Sequence, residues 1–311
     1  MELLIKDFEE GNPIRGQFAL TGVQRGTTNT SGKPYLRLTL KDSSGVITGF
    51  KWNVYDEDYD ICQNGAVVLV SGIVKSHSSG LQLTIDDIQS VAEKDIDPNR
   101  FIKQCPVDVD VLIKKLDDHV ASIKDVDLHT LVESIVRKYR DKLITYPAAV
   151  SVHHDFQSGL LCHTLSMTKI AEFMASHYYN VDHDLLISGC LLHDIGKTIE
   201  FEGTTSYHYS LEGKLLGHIS IMATIIDEEA KALGTNPEKA LLLKHMILSH
   251  HGEYEYGSPV LPQTREAILL NLIDNLDSKM AIVDKALEDV APGELSQKVF
   301  ALDNRVLYKA K

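Results

Sequence analysis

The sequence predicts a two-domain α and β protein, with a five-stranded closed β-barrel at the N-terminus followed by an all-helical bundle. Three observations predict it. Apolar residues recur at a period of two from residue 14 to 91, and at helical spacing further on. Prolines 98, 106, 147, 237, 259, 262 and 292 fall between the helical runs rather than inside them. The chain has 311 residues, 43% hydrophobic and 24% charged, which suits two ordinary domains that bury their cores without disulfides.

The strands follow in order. Ile14–Val23 is the first. Tyr35-Leu36-Arg37-Leu38-Thr39-Leu40 alternates strictly, with the leucines on one face and Tyr35, Arg37 and Thr39 on the other. Asp42-Ser43-Ser44-Gly45 is a turn, and Val46–Trp52 is the third strand. Phe50 and Trp52 share the parity of Val46, which assigns Phe50 to the core. Ala66–Val74 is apolar on both faces, the pattern of a central buried strand. After the turn at Ser78-Ser79-Gly80, Leu81, Leu83 and Ile85 alternate with Gln82 and Thr84. Five short strands in about eighty residues suit an OB-type barrel, with a small sandwich as the alternative.

These strands make residues 1–92 the first domain and 93–311 the second. Residues 93–106, charged and carrying Pro98, form a linker. Residues 107–150 supply preceding helices, marked by Leu128, Leu131, Val132, Ile135 and Val136. Residues 151–290 hold the main bundle. Its stripes include Leu185, Leu186, Cys190 and Leu191-Leu192, and then Ile268, Leu269, Leu272, Ile273 and Leu276. The weakly patterned tail from Pro292 reads as a short docking segment.

Fourteen histidines are unevenly spread, and eleven lie between His153 and His251. Even scattering would put between four and five there. Histidine is the commonest metal ligand. His163, His193-Asp194, His218, His250-His251 and Asp274 each lie at or near an apolar helical stripe. Their side chains are therefore expected to face the bundle interior. Buried imidazoles and carboxylates are costly alone, and converging on cations removes that cost. The donor set lacks thiolate, so it suits Mn²⁺, Fe²⁺ or Zn²⁺ and argues against a cysteine-type structural zinc site. Singly, each has an ordinary reading: His163 as a core histidine, His250-His251 as a helix end before Gly252, Asp274 as a surface carboxylate with Asp277 competing for its role.

The order H…HD…H…HH…D resembles the HD-domain metal-dependent phosphohydrolases, in the form that holds two metals. The resemblance implies that Asp194 bridges two divalent ions and that His163, His193, His218, His250, His251 and Asp274 complete the ligand set. Such a pair can activate a hydroxide and stabilise both the attacking and leaving oxygens of a phosphoester. Lys197, one turn after Asp194, is a candidate to offset phosphate charge, with a solvated helix-end lysine as the alternative. His153 and His154 precede the first ligand helix. Either could contact the substrate phosphate or protonate the leaving oxygen, and a surface loop is the equal alternative. The other histidines, and the thiols of Cys162 and Cys190, read as packing or surface groups.

The formal charge of −13 excludes a general phosphate-backbone binder. Locally the balance reverses. From Ile14 to Tyr55 there are six bases (Arg15, Arg25, Lys33, Arg37, Lys41 and Lys51) against the single acid Asp42. A basic barrel face with aromatics is how OB-folds track single strands, and Tyr35 and Arg37 are the candidates for stacking and phosphate contact. The acids Asp56-Glu57-Asp58 and Asp60 follow at once, so a barrel with merely solvated charges is the competing reading. Four cysteines without CxxC spacing read as reduced thiols of a cytoplasmic protein. The start MELLIKDFEEGNP does not read as a signal peptide, and no apolar run approaches membrane-spanning length.

Barrel and ligand series together resemble the YhaM-type 3'-5' exoribonucleases, most densely in Gly159–His163, Leu191–Lys197, ILSHHGEYEYGSP from Ile247 and LIDNLDSKM from Leu272. The resemblance implies Mn²⁺-dependent release of nucleoside 5'-monophosphates from single-stranded RNA, with single-stranded DNA as a further substrate and room for a homo-oligomer. Three other readings stay open: a cyclic-dinucleotide phosphodiesterase, a nucleotide phosphohydrolase, and a non-enzymatic binding module with a helical scaffold.

Overall fold

The computed structural model describes residues 3–28, 32–78, 80–97, 100–101, 105, 107–148, 157–203 and 207–311. The chain divides into two compact units: residues 1–104 with 201–209, and residues 105–200 with 210–311.

The first unit is a closed barrel of order β1-β2-β3-β5-β4. Its strands are β1 (Pro13–Thr27), β2 (Pro34–Asp42), β3 (Gly45–Lys51), β4 (Val67–His77) and β5 (Gly80–Ser90), with helix α1 (Asp56–Ile61) between β3 and β4. The β3–β5 pair is parallel and the other pairs are antiparallel. Closure removes the sheet edges. Phe18, Leu20, the β2 leucines, Val68, Val70, Val74, Leu83 and Ile85 fill the interior. The β4–β5 register shifts between Ser71 and Gly72. A Cβ at Gly72 would lie 2.2 Å from the Thr84 carbonyl oxygen, so only glycine fits at this bulge.

Two sequence expectations for the strands are corrected. Leu40 pairs with Ile47 and Arg37 with Phe50. Cross-strand partners share a face, so Ile47 turns inward and Val46, Phe50 and Trp52 turn outward. Phe50 is therefore a half-buried outer residue and not part of the core. The fourth strand is buried mainly on its inner face, because a barrel has a single inner surface, and only Val67 on the outer face is also buried, beside Ala19 and Phe101. Ile73 is exposed while Val68, Val70 and Val74 are buried.

The second unit contains α2 (Val109–Ser122), α3 (Val126–Thr145), α4 (Gly159–His177), α5 (His183–Leu192), α6 (Lys197–Glu200), α7 (Leu211–Leu233), α8 (Pro237–Ser249) and α9 (Arg265–Leu287). Asp108, Asp125, Asp182, Ser210, Asn236 and Thr264 cap their helices by accepting from first-turn N–H groups. One continuous core joins α2 to α9.

The chain after the barrel is not helical throughout. β6 (Phe201–Glu202) pairs with β7 (His208–Tyr209), both counted in the first unit, and the C-terminal tail folds back through Leu295–Tyr308 and Val299–Arg305 bridges. On α9 the buried face carries Ala267, Leu270, Ile273 and Asp277, whereas Ile268, Leu272, Leu276 and Met280 are about half exposed. Both sides of α9 are apolar, so the expected stripe named residues from each. Among the described residues, no helix is long and apolar enough to cross a membrane.

Candidate metal centre and nucleic-acid face

Local backbone geometry gathers the ligand series. His163 lies on α4, and His193 caps α5. Asp194 follows in the tight turn into α6, where a Cβ on Gly196 would lie 2.3 Å from the His218 carbonyl oxygen. That contact holds the turn against α7 backbone to backbone. α7 itself breaks at Gly217 (φ 71°, ψ 153°), just before His218. His250 caps the end of α8 and His251 follows it, and there Asn271 Nδ2 donates to the His250 carbonyl at 2.8 Å. Asp274 lies mid-way along α9.

Two groups result: His163, His193 and Asp274, and His218, His250 and His251. Asp194 lies between them. Its Oδ2 is 3.3 Å from His193 Nε2 and 3.9 Å from His163 Nε2, while its Oδ1 is 3.5 Å from His218 Nε2 and 3.9 Å from His250 Nε2.

All five imidazoles commit Nδ1 to an acceptor. His193 donates to the Cys190 carbonyl (2.9 Å), His250 to Ile247 (2.7 Å) and His251 to Tyr256 (2.7 Å). His163 donates to Asp277 (2.7 Å) and His218 to Glu200 (3.1 Å). A carbonyl can only accept, so His193, His250 and His251 carry their proton on Nδ1 and keep the Nε2 lone pair for the site. Burial alone would lower the His163 imidazole. Hydrogen bonds to Asp274 and Asp277 outweigh it and push the pKa up to about 9. Burial depresses His250 well below its ordinary value. Burial would raise the Asp194 carboxyl, yet the Lys197 ammonium, 2.6 Å away, and the neighbouring imidazoles hold it well below the usual range. Asp274 is likewise held low against burial by His163.

Among the described residues, Asp194 Oδ1, His218 Nε2 and His250 Nε2 are buried with no hydrogen-bond partner. Orphaned lone pairs aimed at one point, in an imidazole–carboxylate donor set, fit divalent cations.

On the barrel, Tyr35, Phe50 and Trp52 form one outer aromatic surface. Phe50 and Trp52 stack at 5.4 Å with 9° between planes, and the Tyr35 ring lies 5.3 Å from Trp52. Arg37 projects beside them and donates to Gln24 Oε1 at 3.3 Å. Of the acids after this strand, Asp58 on α1 is buried, accepts from the Tyr55 N–H (2.8 Å) and faces buried Lys51, whereas Asp56, Glu57 and Asp60 stay exposed.

Residues 160–279 match the family model "HD domain" and residues 19–91 match "OB-fold nucleic acid binding domain". The 3'-5' exoribonuclease YhaM of Geobacillus sp. (strain WCH70) is 38% identical over 306 residues, 98% of this chain and 94% of that protein. The chain belongs to the YhaM family. The YhaM exoribonuclease of Bacillus velezensis is also 38% identical, over 97% of this chain and 96% of its own. Among solved structures, the second OB-fold domain of replication protein A from Methanococcus maripaludis is 24% identical and matches with a TM-score of 0.25, over 31% of this chain and all of that one.

In this YhaM-family chain all seven expected ligand residues converge, and the HD match together with the two His/Asp groups points to divalent-metal binding. Lys197 is not a solvated helix-end lysine: it is largely buried and paired with Asp194. Tyr35 and Arg37 share the outer barrel face, as their alternation requires. His153 and His154 lie outside the described residues. Sequence reasoning missed Phe50, Trp52, Asn271 and Glu200. Asp277 was weighed only as a rival to Asp274, although it supports His163 from one turn further along. Its i+3 spacing was the available signal, and Glu200 offered none.

Proposed function

We propose that this chain is a metal-dependent 3'-5' exoribonuclease. It hydrolyses single-stranded RNA, and single-stranded DNA as a further substrate, to nucleoside 5'-monophosphates. The observation that carries the reading is the placement of Asp194, with one oxygen toward each ligand group. His163, His193 and Asp274 would hold one divalent cation and His218, His250 and His251 the other, with Asp194 shared and Mn²⁺ the first choice. Such ions supply Lewis-acid stabilisation of phosphoryl charge and make water nucleophilic at neutral pH.

The chain's own groups do the rest. Lys197 keeps its proton, because Asp194 raises the ammonium against the depressing effect of burial. It therefore fixes Asp194 and sets a positive charge beside the reacting phosphodiester. On the barrel, Tyr35, Phe50 and Trp52 give bases a stacking surface, and Arg37 offsets phosphate charge. The similarity to YhaM exoribonucleases runs through both domains. That favours a polymer over a cyclic dinucleotide or a free nucleotide. The exposed apolar side of α9 supports a homo-oligomer, checked by light scattering on a Leu272→Glu variant.

The deciding experiment uses the purified protein with Mn²⁺ and 5'-labelled single-stranded RNA. A descending ladder with mononucleotide product is expected, abolished by chelator and by Asp194→Ala. Undiminished cleavage in either case overturns the reading.

A further inference from the structure

Resting on that reading of the metal centre, we propose that Glu200 and Asp277 are positioning residues, one behind each ligand group, that set the affinity of the two cation positions separately. The five imidazoles are supported in two ways. Cys190, Ile247 and Tyr256 offer main-chain carbonyls within five residues of the ring they hold. Glu200 and Asp277 are side chains, 18 and 114 residues from theirs. The two carboxylates fall one to a group, behind His218 and His163 respectively.

The backbone is shaped around the Glu200 contact. Gly217 leaves helical geometry, which turns the His218 N–H onto Glu200 Oε1 (3.1 Å), the oxygen that also lies 3.2 Å from His218 Nδ1. A Cβ on Gly213 would lie 2.3 Å from the Glu200 carbonyl oxygen, so the glycine lets this segment lie flat against α7. Asp277 is fixed from two sides: its Oδ2 accepts from His163 Nδ1 at 2.7 Å and its Oδ1 accepts from Ser166. Both carboxylates are under 10% exposed. A buried anion behind an imidazole fixes the tautomer and makes the opposite nitrogen a stronger donor to a cation, which a neutral carbonyl does more weakly.

The test is equilibrium Mn²⁺ binding to metal-stripped full-length protein, read by the paramagnetic signal of free Mn²⁺, without reference to activity. E200Q and D277N are each expected to weaken one of two binding steps by about 10–100-fold and leave the other at the wild-type value. E200Q is expected to add nothing in an H218A background, nor D277N in H163A, because each acts through its ring. S166A, which keeps the charge and removes one contact, is expected to give a smaller loss in the step that D277N weakens. The inference alone is overturned if wild type binds two Mn²⁺ and both variants bind as tightly. It is also overturned if the losses add fully to those of the histidine variants, or if the stripped variants unfold where the stripped wild type does not, since a purely structural role then suffices. Wild-type protein that binds no Mn²⁺ overturns the underlying reading as well.

Discussion

The Tyr35 ring lies directly over Gly26 on the neighbouring strand: a Cβ at position 26 would be 2.5 Å from Tyr35 Cζ. The ring end of a tyrosine can swing aside, whereas backbone cannot. Gly26→Ala should therefore leave the urea midpoint almost unchanged while displacing a stacking surface worth about 1–3 kcal/mol per base. Fluorescence anisotropy with a short RNA should show affinity falling about fivefold or more. Unaltered affinity would remove Tyr35 from the binding surface.

Arg37 tests the electrostatic half of the same face. If it meets a phosphate, Arg37→Gln should lower affinity and reduce the slope of log affinity against log salt by about 0.7, the single-strand value per phosphate. Parallel salt titrations of variant and wild type that differ only in height would argue for a packing role.

Gly196 has no such latitude, because its neighbour is the His218 carbonyl. Gly196→Ala should cost about 1–3 kcal/mol of stability by overpacking. It should also weaken Mn²⁺ binding, since the strain separates Asp194 from His218. Denaturant melts and Mn²⁺ titration on one preparation check both halves.

Asp194 and Lys197 form a buried pair 2.6 Å apart. Asp194→Ala leaves the ammonium without its counter-charge, and breaking such pairs costs about 3–5 kcal/mol. Adding Lys197→Met should restore much of that stability and none of the hydrolysis. Restored activity in the double variant would contradict the role given to Asp194.

His183 supplies a pH test away from the centre. Burial would lower its imidazole, but hydrogen bonds to Asp184 and Glu172, both 2.8 Å, outweigh it and leave it above its ordinary value. A folded-state pKa above the unfolded one gives stability that is complete below about 6.5 and is lost as pH climbs through the folded value. The destabilisation caused by His183→Gln should accordingly be larger at pH 6 than at pH 9. Urea midpoints of both proteins at the two pH values decide it, and a cost that grows with pH would refute the assignment.

Periodicity in the sequence revealed the barrel and the helical bundle, because each depends on local spacing, whereas the seven donors were legible only through their order along the chain and its resemblance to the HD-domain ligand series. The orientation of the third strand was not legible, since Val46 and Ile47 are equally apolar and only the pairing of Leu40 with Ile47 decides which turns inward. The same ambiguity hid the buried side of α9, where apolar residues lie on two sides of the helix. Glu200 was invisible for another reason. Its contact with His218 depends on a kink at Gly217 and a close approach at Gly213, both of which are tertiary events.

All five rings are held at Nδ1 by partners within the folded chain. A chelator should strip the protein to an inert but fully folded state, in contrast to small domains that collapse without their ion. On the proposed reading, one divalent cation would then replace another without the chain unfolding, and the ions in the surrounding solution, rather than the state of the fold, would set the activity.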